Sequence, residues 1–331
     1  GLDSQTVTGV EYNRIRFHLV SNAPFDDLPG GGQPVDIQHP VPQPFVSDSP
    51  FIAQSVTTTK QLAAFAENRL QLSDKLSLIT GVRRDYLHID SNDLTTANRD
   101  ADTTLTGNNW KAGLVYAITP DISVYAQYAT STDGVGSLIS LSPSQQQFGL
   151  STAKQAEVGF KQAFWDARGE WTLAAYHIVK QKLLVSIPGT DLKEQVGQQS
   201  SNGLKVSLDL QLPDAWQLQA NAAVVRAQYD DFSEVVNGQA ISRNGNRPVD
   251  VPNRTANLWL SNAVTDDIRA GAGVRYVSAR YADTANTREV PSYTVADAAV
   301  SWKAMRNTTL GLELNNLFNR TYAVSQYNNG Q

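Results

Sequence analysis

Apolar and polar residues alternate at every second position over long stretches of the chain. In the stretch 76–90, Leu78 and Val82 fall on one face of an extended backbone, and Gly81 and Arg83 fall on the other. Successive side chains of a strand point to opposite faces, so this period of two predicts a β-strand. The pattern recurs at 110–118, 122–129, 216–224, 269–276, 296–302 and 310–318. It predicts about thirteen strands in all.

Several of these predicted strands have about ten residues or more, the length that a tilted strand needs to cross a bilayer. Strands of soluble proteins average about five or six residues. No stretch approaches eighteen consecutive apolar residues, so we expect no transmembrane helix. Strand length therefore favours a membrane barrel, whose outer face at positions such as Leu114, Val124, Leu258, Val274 and Leu312 would meet lipid.

The connections alternate in length. Short turns stand at 73–75, 120–121, 165–169, 213–215, 265–267 and 305–307, and long polar loops at 21–55, 91–108, 131–151, 186–195, 230–250 and 281–289. Outer-membrane barrels have tight periplasmic turns and longer external loops. A β-sandwich or propeller does not sort its loops by side in this way. The sequence thus predicts an all-β protein, an antiparallel transmembrane β-barrel.

Aromatic residues near the strand ends agree with this interpretation. We assign the following to the lipid face: Tyr86, Trp110, Tyr116, Tyr128, Tyr176, Tyr276 and Trp302. There an amphipathic ring can bury its body and keep its polar edge at the headgroups. Cross-strand aromatic pairing in a soluble sheet is the alternative for any one of them. Combined with the alternating loop lengths, the set favours the membrane.

Composition excludes several kinds of chemistry. The 331 residues carry a net charge of −5 without basic clusters, so we expect no nucleic-acid partner. The absence of cysteine excludes disulfides and thiolate catalysis. None of the four histidines has a partner at metal-ligand spacing, and the carboxylates of 90–102 lack the pattern of a calcium loop. We therefore expect no enzyme, no metal site and no cofactor.

The stretch "NNLFNRTY", 315–322, resembles the penultimate-strand motif of TonB-dependent outer-membrane receptors, particularly the ferric-siderophore group. Other stretches resemble the same family in the right order, among them "WKAGLVYAITPDISVYAQYATS" and "AGAGVRYVSARYADTANT". The resemblance covers nearly all of residues 5–327. It implies part of a barrel of twenty-two strands, a size class with a plugged lumen. It also implies TonB-coupled import of a ferric siderophore, with iron carried as the chelate.

The departures from the family matter as well. Nothing resembles the plug domain, the TonB box, the first barrel strands or the closing strand, so residues 1–331 are expected to be the C-terminal part of the barrel domain. The implied partners are the ferric siderophore, TonB–ExbB–ExbD through the missing plug, and outer-membrane lipid or lipopolysaccharide. A passive porin-like barrel, or a structural or surface-binding one, is the alternative. A plug and TonB box encoded upstream of Gly1 would decide between them.

Charged residues are predicted to line the lumen. A hairpin centred on Asp74 places Phe65 opposite Arg83 and Glu67 opposite Gly81, so that Arg83 reaches Glu67 diagonally. The same face carries Asp85, Glu157, Arg275 and Glu313, together with Lys111, Lys205 and Asp297. This polar wall could pack against a plug, or it could line a hydrated pore. The sequence leaves both interpretations open.

Aromatic residues are the predicted ligand contacts. In receptors of this family an aromatic residue in the last external loop contacts a hydroxamate siderophore, and "AVSQY" places Tyr327 at that position. Tyr293 is a second candidate, and Phe148 and Tyr281 are loop candidates. Arg84 stands where the family usually has Tyr. Because Arg84 lies near the external end of its strand, we expect its side chain to reach the membrane interface.

Overall fold

The structure is a computed structural model that describes residues 3–21, 50–95, 100–133, 149–186, 193–236 and 239–324. All regular structure in these ranges is β-strand. Among the described residues no helix is long and apolar enough to cross a membrane.

Thirteen strands form one antiparallel sheet in which each strand pairs with the next one along the chain. They are β1 (Ser4–Ser21), β2 (Ile52–Ser73), β3 (Leu76–Asp93), β4 (Ala101–Thr119), β5 (Ile122–Asp133), β6 (Ser151–Phe164), β7 (Gly169–Ser186), β8 (Lys193–Gln211), β9 (Trp216–Asp231), β12 (Arg254–Ala263), β13 (Ile268–Val277), β16 (Tyr293–Met305) and β17 (Thr308–Leu314). Two small hairpins interrupt the order: β10 (Ser233–Val236) with β11 (Gln239–Ser242), and β14 (Arg280–Tyr281) with β15 (Glu289–Val290). The predicted class and strand number are confirmed.

The strand register gives the sheet an apolar face and a polar face. Leu78 lies opposite Leu114, which lies opposite Ala126, and these residues define the apolar face. Side chains on this face are well exposed, with Val82 at 62% and Leu312 at 60%. The polar face carries the charged set Glu67, Arg83, Glu157, Arg275 and Glu313. A continuous exposed apolar surface of this extent is typical of a face covered by lipid.

The sheet is a single layer. The buried hydrophobic cluster of the described residues is small: Tyr229 packs on Phe232, with Leu183 beside them. This cluster lies at the end of β9 that leads to the β10–β11 hairpin. A soluble two-layer protein would pack a much larger apolar core between its layers. The apolar area of this chain is instead turned outward along the strands.

The short turns form a hydrogen-bonded rim, which we call the turn rim. In each case a turn carbonyl accepts an amide hydrogen from the end of the following hairpin: Lys75 O from Ala117 N, Asp121 O from Ala163 N, Arg168 O from Gln211 N, Ala215 O from Ala263 N and Asp267 O from Lys303 N. At the turn after β8, Asp214 and Ala215 have φ angles of 55° and 60°. Positive φ at both central residues is the type I′ hairpin geometry. The predicted short turns are confirmed.

The opposite end of the sheet, the external end, contains more strand than the sequence predicted. β3 runs to Asp93 and β4 starts at Ala101, so the predicted loop 91–108 is mostly strand. The predicted loops 230–250 and 281–289 contain the two small hairpins. These predictions were wrong because the segments are polar on both faces. Strands that project into water need no apolar face, so their composition resembles that of loops.

The last predicted strand, 310–318, is also shorter than predicted, because β17 ends at Leu314. Asn316 and Asn319 have left-handed φ angles of 53° and 47°. The amide of Asn316 donates to Asp297 Oδ1 at 2.8 Å, and its side-chain oxygen accepts from the amide of Arg320 at 2.9 Å. Asparagine tolerates this conformation better than most residues. The asparagine run is therefore a turn held against β16.

Two belts of aromatic residues cross the apolar face. The belt near the turn rim contains Tyr116, Trp171, Trp216 and Trp302, and the belt nearer the external end contains Tyr12, Tyr86, Trp110, Tyr128 and Tyr276. Along β4 the six residue steps from Trp110 to Tyr116 span about 20 Å. This agrees with an apolar band about 25 Å tall flanked by aromatic girdles.

Tyr176 was wrongly assigned to the lipid face. It lies opposite Glu157 on one side and Gly203 on the other, which places it on the polar face. Leu173 and Ala175 occupy the apolar face of the same strand, opposite Phe160 and Val158. Aromatic character alone does not choose a face, since tyrosine also suits a polar wall.

Candidate functional site

An ion-pair network on the polar face joins β1 to β4. The predicted register is confirmed: Phe65 lies opposite Arg83 and Glu67 opposite Gly81. The guanidinium of Arg83 donates to Asp85 Oδ1 at 2.8 Å and to Glu11 Oε2 at 3.0 Å. Asp85 also accepts hydrogen bonds from two amide side chains, those of Gln61 and Asn109.

The predicted contact between Arg83 and Glu67 was wrong. Glu67 pairs with Lys111 instead, at 2.6 Å, and Arg83 turns toward Asp85 and Glu11. Lys111 lies opposite Gly81, so its ammonium is the nearer cation for Glu67 across β3. Both partners in this pair are nearly half exposed. An ion pair this exposed contributes little to the free energy of unfolding.

Glu157 is the centre of a second network, and it is nearly inaccessible, with its side chain 4% exposed. Its carboxylate accepts hydrogen bonds from Tyr125 Oη and Lys205 Nζ, both at 2.8 Å, and from Gln155 at 3.0 Å. Gln127 donates a longer one at 3.4 Å. The donors come from β5, β6 and β8, so one carboxylate links strands on both sides of β6 and β7. A buried carboxylate is costly unless its oxygen atoms accept hydrogen bonds, and these donors supply them.

Two tyrosine rings lie flat against the polar face in this region. Tyr125 covers Gly159 and Tyr176 covers Gly203, each directly opposite its glycine. A Cβ at either glycine would lie about 2.3 Å from a ring atom. Glycine therefore lets the ring lie along the wall, which covers the bare backbone and keeps the space in front of the sheet open.

At the external end the two small hairpins meet in a structure that we call the roof, formed by 232–236, 239–250 and 278–292. Glu234 on β10 pairs with Arg243 at 2.8 Å and accepts a hydrogen bond from the Thr284 hydroxyl, also at 2.8 Å. Asn246 donates to the carbonyl of Thr284 at 2.9 Å. Buried polar contacts of this kind rigidify the roof beside the small apolar cluster of Tyr229 and Phe232.

Arg280 ties the roof to the segment after β17. It is 2% exposed and donates to the carbonyls of Ala323 and Val324 at 2.6 and 2.5 Å, while its Nε faces Asp250 at 3.3 Å. Its guanidinium also lies 5.9 Å from the ring of Tyr293. Sequence reasoning missed Arg280, because its partners are backbone carbonyls about forty positions away that leave no sequence signal.

The structure covers two of the four predicted ligand residues. Tyr293 begins β16 but is 9% exposed, since Tyr322 stacks on it at 4.3 Å. Tyr281 is partly exposed on β14, with the guanidinium of Arg247 5.2 Å from its ring. Tyr327 and Phe148 lie outside the described residues. Of the two described candidates, Tyr281 is the one that a ligand could reach.

Asp283 stabilises the turn of the β14–β15 hairpin, outside the predicted membrane span. Partial burial opposes ionisation, but the hydroxyl of Thr287 and the backbone amides of Thr287 and Arg288 donate to the carboxylate, and the nearby Arg288 charge favours it. These interactions outweigh the desolvation and lower the pKa of Asp283. Within the described ranges no group of three His, Asp or Glu side chains could hold a metal ion.

Long antiparallel strands, an exposed apolar face between two aromatic belts, and a polar face lined with ion pairs define an outer-membrane β-barrel wall. The family model described as TonB dependent receptor-like, beta-barrel, matches residues 1–317. The chain belongs to this family, which consists of receptors and transporters, and it is an outer-membrane protein.

Relatives with assigned roles are similar over most of the chain. The "Probable TonB-dependent siderophore receptor PiuA" of Acinetobacter baumannii is 27% identical over 307 residues, which is 87% of this chain and 40% of that protein. The ferrichrome outer membrane transporter/phage receptor of Escherichia coli K12 is 26% identical, over 99% of this chain and 44% of its own length. This chain therefore spans less than half the length of these relatives.

Solved structures share the fold. The crystal structure of the siderophore receptor PiuA from Acinetobacter baumannii superposes with a TM-score of 0.76 and 24% identity, covering 99% of this chain and 51% of that one. The closed form of the ferric-catecholate import receptor Fiu from Escherichia coli K12 gives a TM-score of 0.73, over 99% of this chain and 50% of that one. At this level of identity the likeness concerns the fold.

Proposed function

We propose that this chain is part of an outer-membrane receptor that binds a ferric siderophore at the external end and imports it by TonB-coupled transport. The observation that carries the proposal is the family membership over residues 1–317, with relatives that are named as siderophore receptors. Iron is then the cargo, held by its chelator. The protein would contact the organic surface of the chelate.

The roof supplies a suitable binding surface. Tyr281 offers an aromatic face and a hydroxyl, and Arg247 places a positive charge beside that ring. An iron chelate built from oxygen donors presents carbonyl and anionic oxygen atoms around an apolar frame, which a tyrosine–arginine pair can hold. We propose Tyr281 and Arg247 as ligand contacts, with Tyr327 and Phe148 beside them. Tyr293 would support the site from behind, because Tyr322 covers it.

The polar face is proposed to contact a plug domain. Its residues Arg83, Asp85, Glu67, Glu157, Arg275 and Glu313 would form the wall of the lumen. Arg83 and Glu67 remain partly exposed and can bind an inserted domain, whereas Glu157 is already satisfied by its neighbours. We propose that the full polypeptide supplies this plug, the remaining strands and the contact with TonB–ExbB–ExbD. Relatives that are more than twice as long as the matched region support this.

Uptake of a radiolabelled iron chelate by cells that produce the full-length receptor tests the function. We expect uptake in cells with TonB and none in isogenic cells without it. Uptake that is equal in both strains and proportional to concentration would show a passive porin. A purely structural barrel would show no uptake in either strain. Binding of the chelate to the purified receptor is therefore measured as well, because a structural barrel should not bind it.

Variants at the roof test the proposed contacts. Tyr281→Ala is expected to weaken chelate binding by about 1–3 kcal/mol if the ring is an anchor. Tyr12→Ala, which removes an exposed tyrosine from the apolar face, is the matched control and should leave affinity unchanged. Equal affinity of the Tyr281 variant and the intact receptor would remove Tyr281 from the site.

A further inference from the structure

The polar face changes its chemistry along the sheet. On β9 the amides Gln217, Gln219 and Asn221 follow one another at every second position of this face. On β12, Asn257 stands directly opposite Asn221, and Trp259 stands directly opposite Gln219. We call these five residues the amide patch. Two residues of a strand rise about 7 Å, so the patch extends over about 13 Å along β9.

The indole of Trp259 lies flat along β13. A Cβ at Gly273 would lie 2.5 Å from its Cε3, and a Cβ at Gly271 would lie 2.9 Å from its Nε1. Because neither glycine has a side chain, one face of the ring rests on bare backbone and the other turns toward the lumen. Trp259 is partly exposed, and its Nε1 donates to no described residue. The ring is therefore a stacking surface with a free hydrogen-bond donor at its edge.

The amides of the patch have hydrogen-bonding groups to spare. Nδ2 of Asn257 donates to Oδ1 of Asn221 at 2.8 Å, and both side chains are exposed. Gln217 and Gln219 each donate one hydrogen to Asp209, at 3.3 and 3.2 Å. Every amide side chain has two donor hydrogens and one acceptor oxygen. Each therefore keeps groups that a ligand in the lumen can use.

The polar face of β1 to β4 is equipped differently. There Arg83 binds Asp85 and Glu11, and Lys111 binds Glu67. Hydrogen bonds that involve a charge are about twice as strong as neutral ones. Cations on that wall would hold an anionic chelate firmly, whereas the amide patch offers several weaker bonds. A path through a membrane protein needs such sites, because the ligand must enter and must also leave.

We propose that the amide patch is a transit site for the ferric chelate inside the barrel, with Trp259 as its stacking surface. The apolar frame of the chelate would lie on the indole while the amides donate to its oxygen atoms. This inference rests on the function proposed above, but the site is distinct from the roof. Asn221 lies five residues from the turn-rim end of β9, about 17 Å along the strand. The plug would cover the patch at rest and leave it during transport.

Uptake by cells that produce the full-length receptor tests the role of Trp259. Loss of one aromatic contact changes an equilibrium by about two- to tenfold, so Trp259→Ala should lower the maximum rate of TonB-dependent uptake about threefold or more. The Kd of the chelate at the external site should stay unchanged. Trp259→Phe keeps a ring and should restore most of the rate. Trp302→Ala removes an exposed tryptophan from the apolar face and, as the matched control, should change neither quantity.

Thiol labelling tests where the path runs. The 331 residues contain no cysteine, so an introduced thiol is unique in this part of the receptor. Asn221→Cys and Gln127→Cys place it on the polar face at matched heights, each five residues from the turn-rim end of its strand. During uptake in cells with TonB, we expect a membrane-impermeant thiol reagent to label Asn221→Cys and to label Gln127→Cys much less.

The contrary results are distinct from one another. An unchanged uptake rate for Trp259→Ala, or equal labelling of the two cysteine variants, would overturn the transit site and leave the proposed function intact. Entry of a large antibiotic into cells that carry Trp259→Ala but lack TonB would show that Trp259 anchors the plug, which would also overturn it. Absence of TonB-dependent uptake by the unaltered receptor would refute the proposed function, and the transit site with it.

Discussion

Replacing Glu157 by alanine removes a nearly inaccessible carboxylate that accepts hydrogen bonds from β5, β6 and β8. The substitution leaves the hydroxyl of Tyr125 and the ammonium of Lys205 without their acceptor. Hydrogen bonds to a charged group contribute about 1.5–3 kcal/mol each. Lys205 is 49% exposed and can turn to water, so most of its share is recovered. We therefore expect the free energy of unfolding to fall by about 2–3 kcal/mol.

Glu67→Ala is the informative control, because the Glu67–Lys111 distance of 2.6 Å is shorter than any bond that Glu157 makes. Both side chains of that pair are nearly half exposed, so its loss should cost less than about 1 kcal/mol. Glu157→Gln keeps an oxygen for Tyr125 and should fall between the two. Burial, and not distance, is thus expected to decide the order of the three variants.

The assay is guanidinium unfolding of the full-length receptor in detergent, followed by tryptophan fluorescence. The midpoint should fall most for Glu157→Ala, with an unchanged slope. A shift no larger than that of Glu67→Ala would refute the reasoning that burial makes this network strong. A changed slope would show instead that the variant alters the compactness of a folded or unfolded state.

Three further predictions concern other parts of the chain. Ala215→Gly should stabilise the protein by about 1 kcal/mol in the same unfolding assay, because Ala215 has a φ of 60°. A double-mutant cycle on Tyr293 and Tyr322 should give a coupling free energy of about 0.5–1.5 kcal/mol, and no coupling would argue against the observed stack. The lowered pKa of Asp283 means that its contribution is present above the pKa of the unfolded chain and is lost as the pH falls through the folded value. The protection of the Thr287 amide against hydrogen exchange, relative to its intrinsic rate at each pH, should therefore fall in acid, and Asp283→Asn should abolish this pH dependence.

The sequence predicted the sheet well because side chains alternate between the two faces of every strand. Alternation fixed the faces, and the turn at Asp74 fixed the pairing of Phe65 with Arg83. The same rule does not determine which charged side chains on the polar face form ion pairs with one another. Arg83 binds Glu11, which lies 72 positions earlier, and no local pattern signals that contact.

The other errors have physical causes too. The ends of β3 and β4 resemble loops because their residues are mostly polar, even where the side chain is buried, as at Ser91. The turn at Asn316 and Asn319 interrupts an apolar alternation that would otherwise have continued. The roof could not be predicted, since buried contacts such as Thr284 with Glu234 join segments 50 positions apart. Exposure of the candidate ligand residues depends on such contacts, so the sequence ranked Tyr293 ahead of Tyr281, whereas Tyr293 is the more buried of the two.

The turn rim also sets where this protein can change its length. The five short turns from Lys75 to Asp267 each supply an acceptor to the hairpin that follows, so an insertion between Pro120 and Asp121 would disturb two hairpins at once. At the external end the described bonds between neighbouring hairpins are concentrated in the roof, for example from Asp250 N to Tyr281 O, and this end already accommodates two extra hairpins. Insertions and changes of loop length should therefore be tolerated at that end, while the turn rim keeps its spacing.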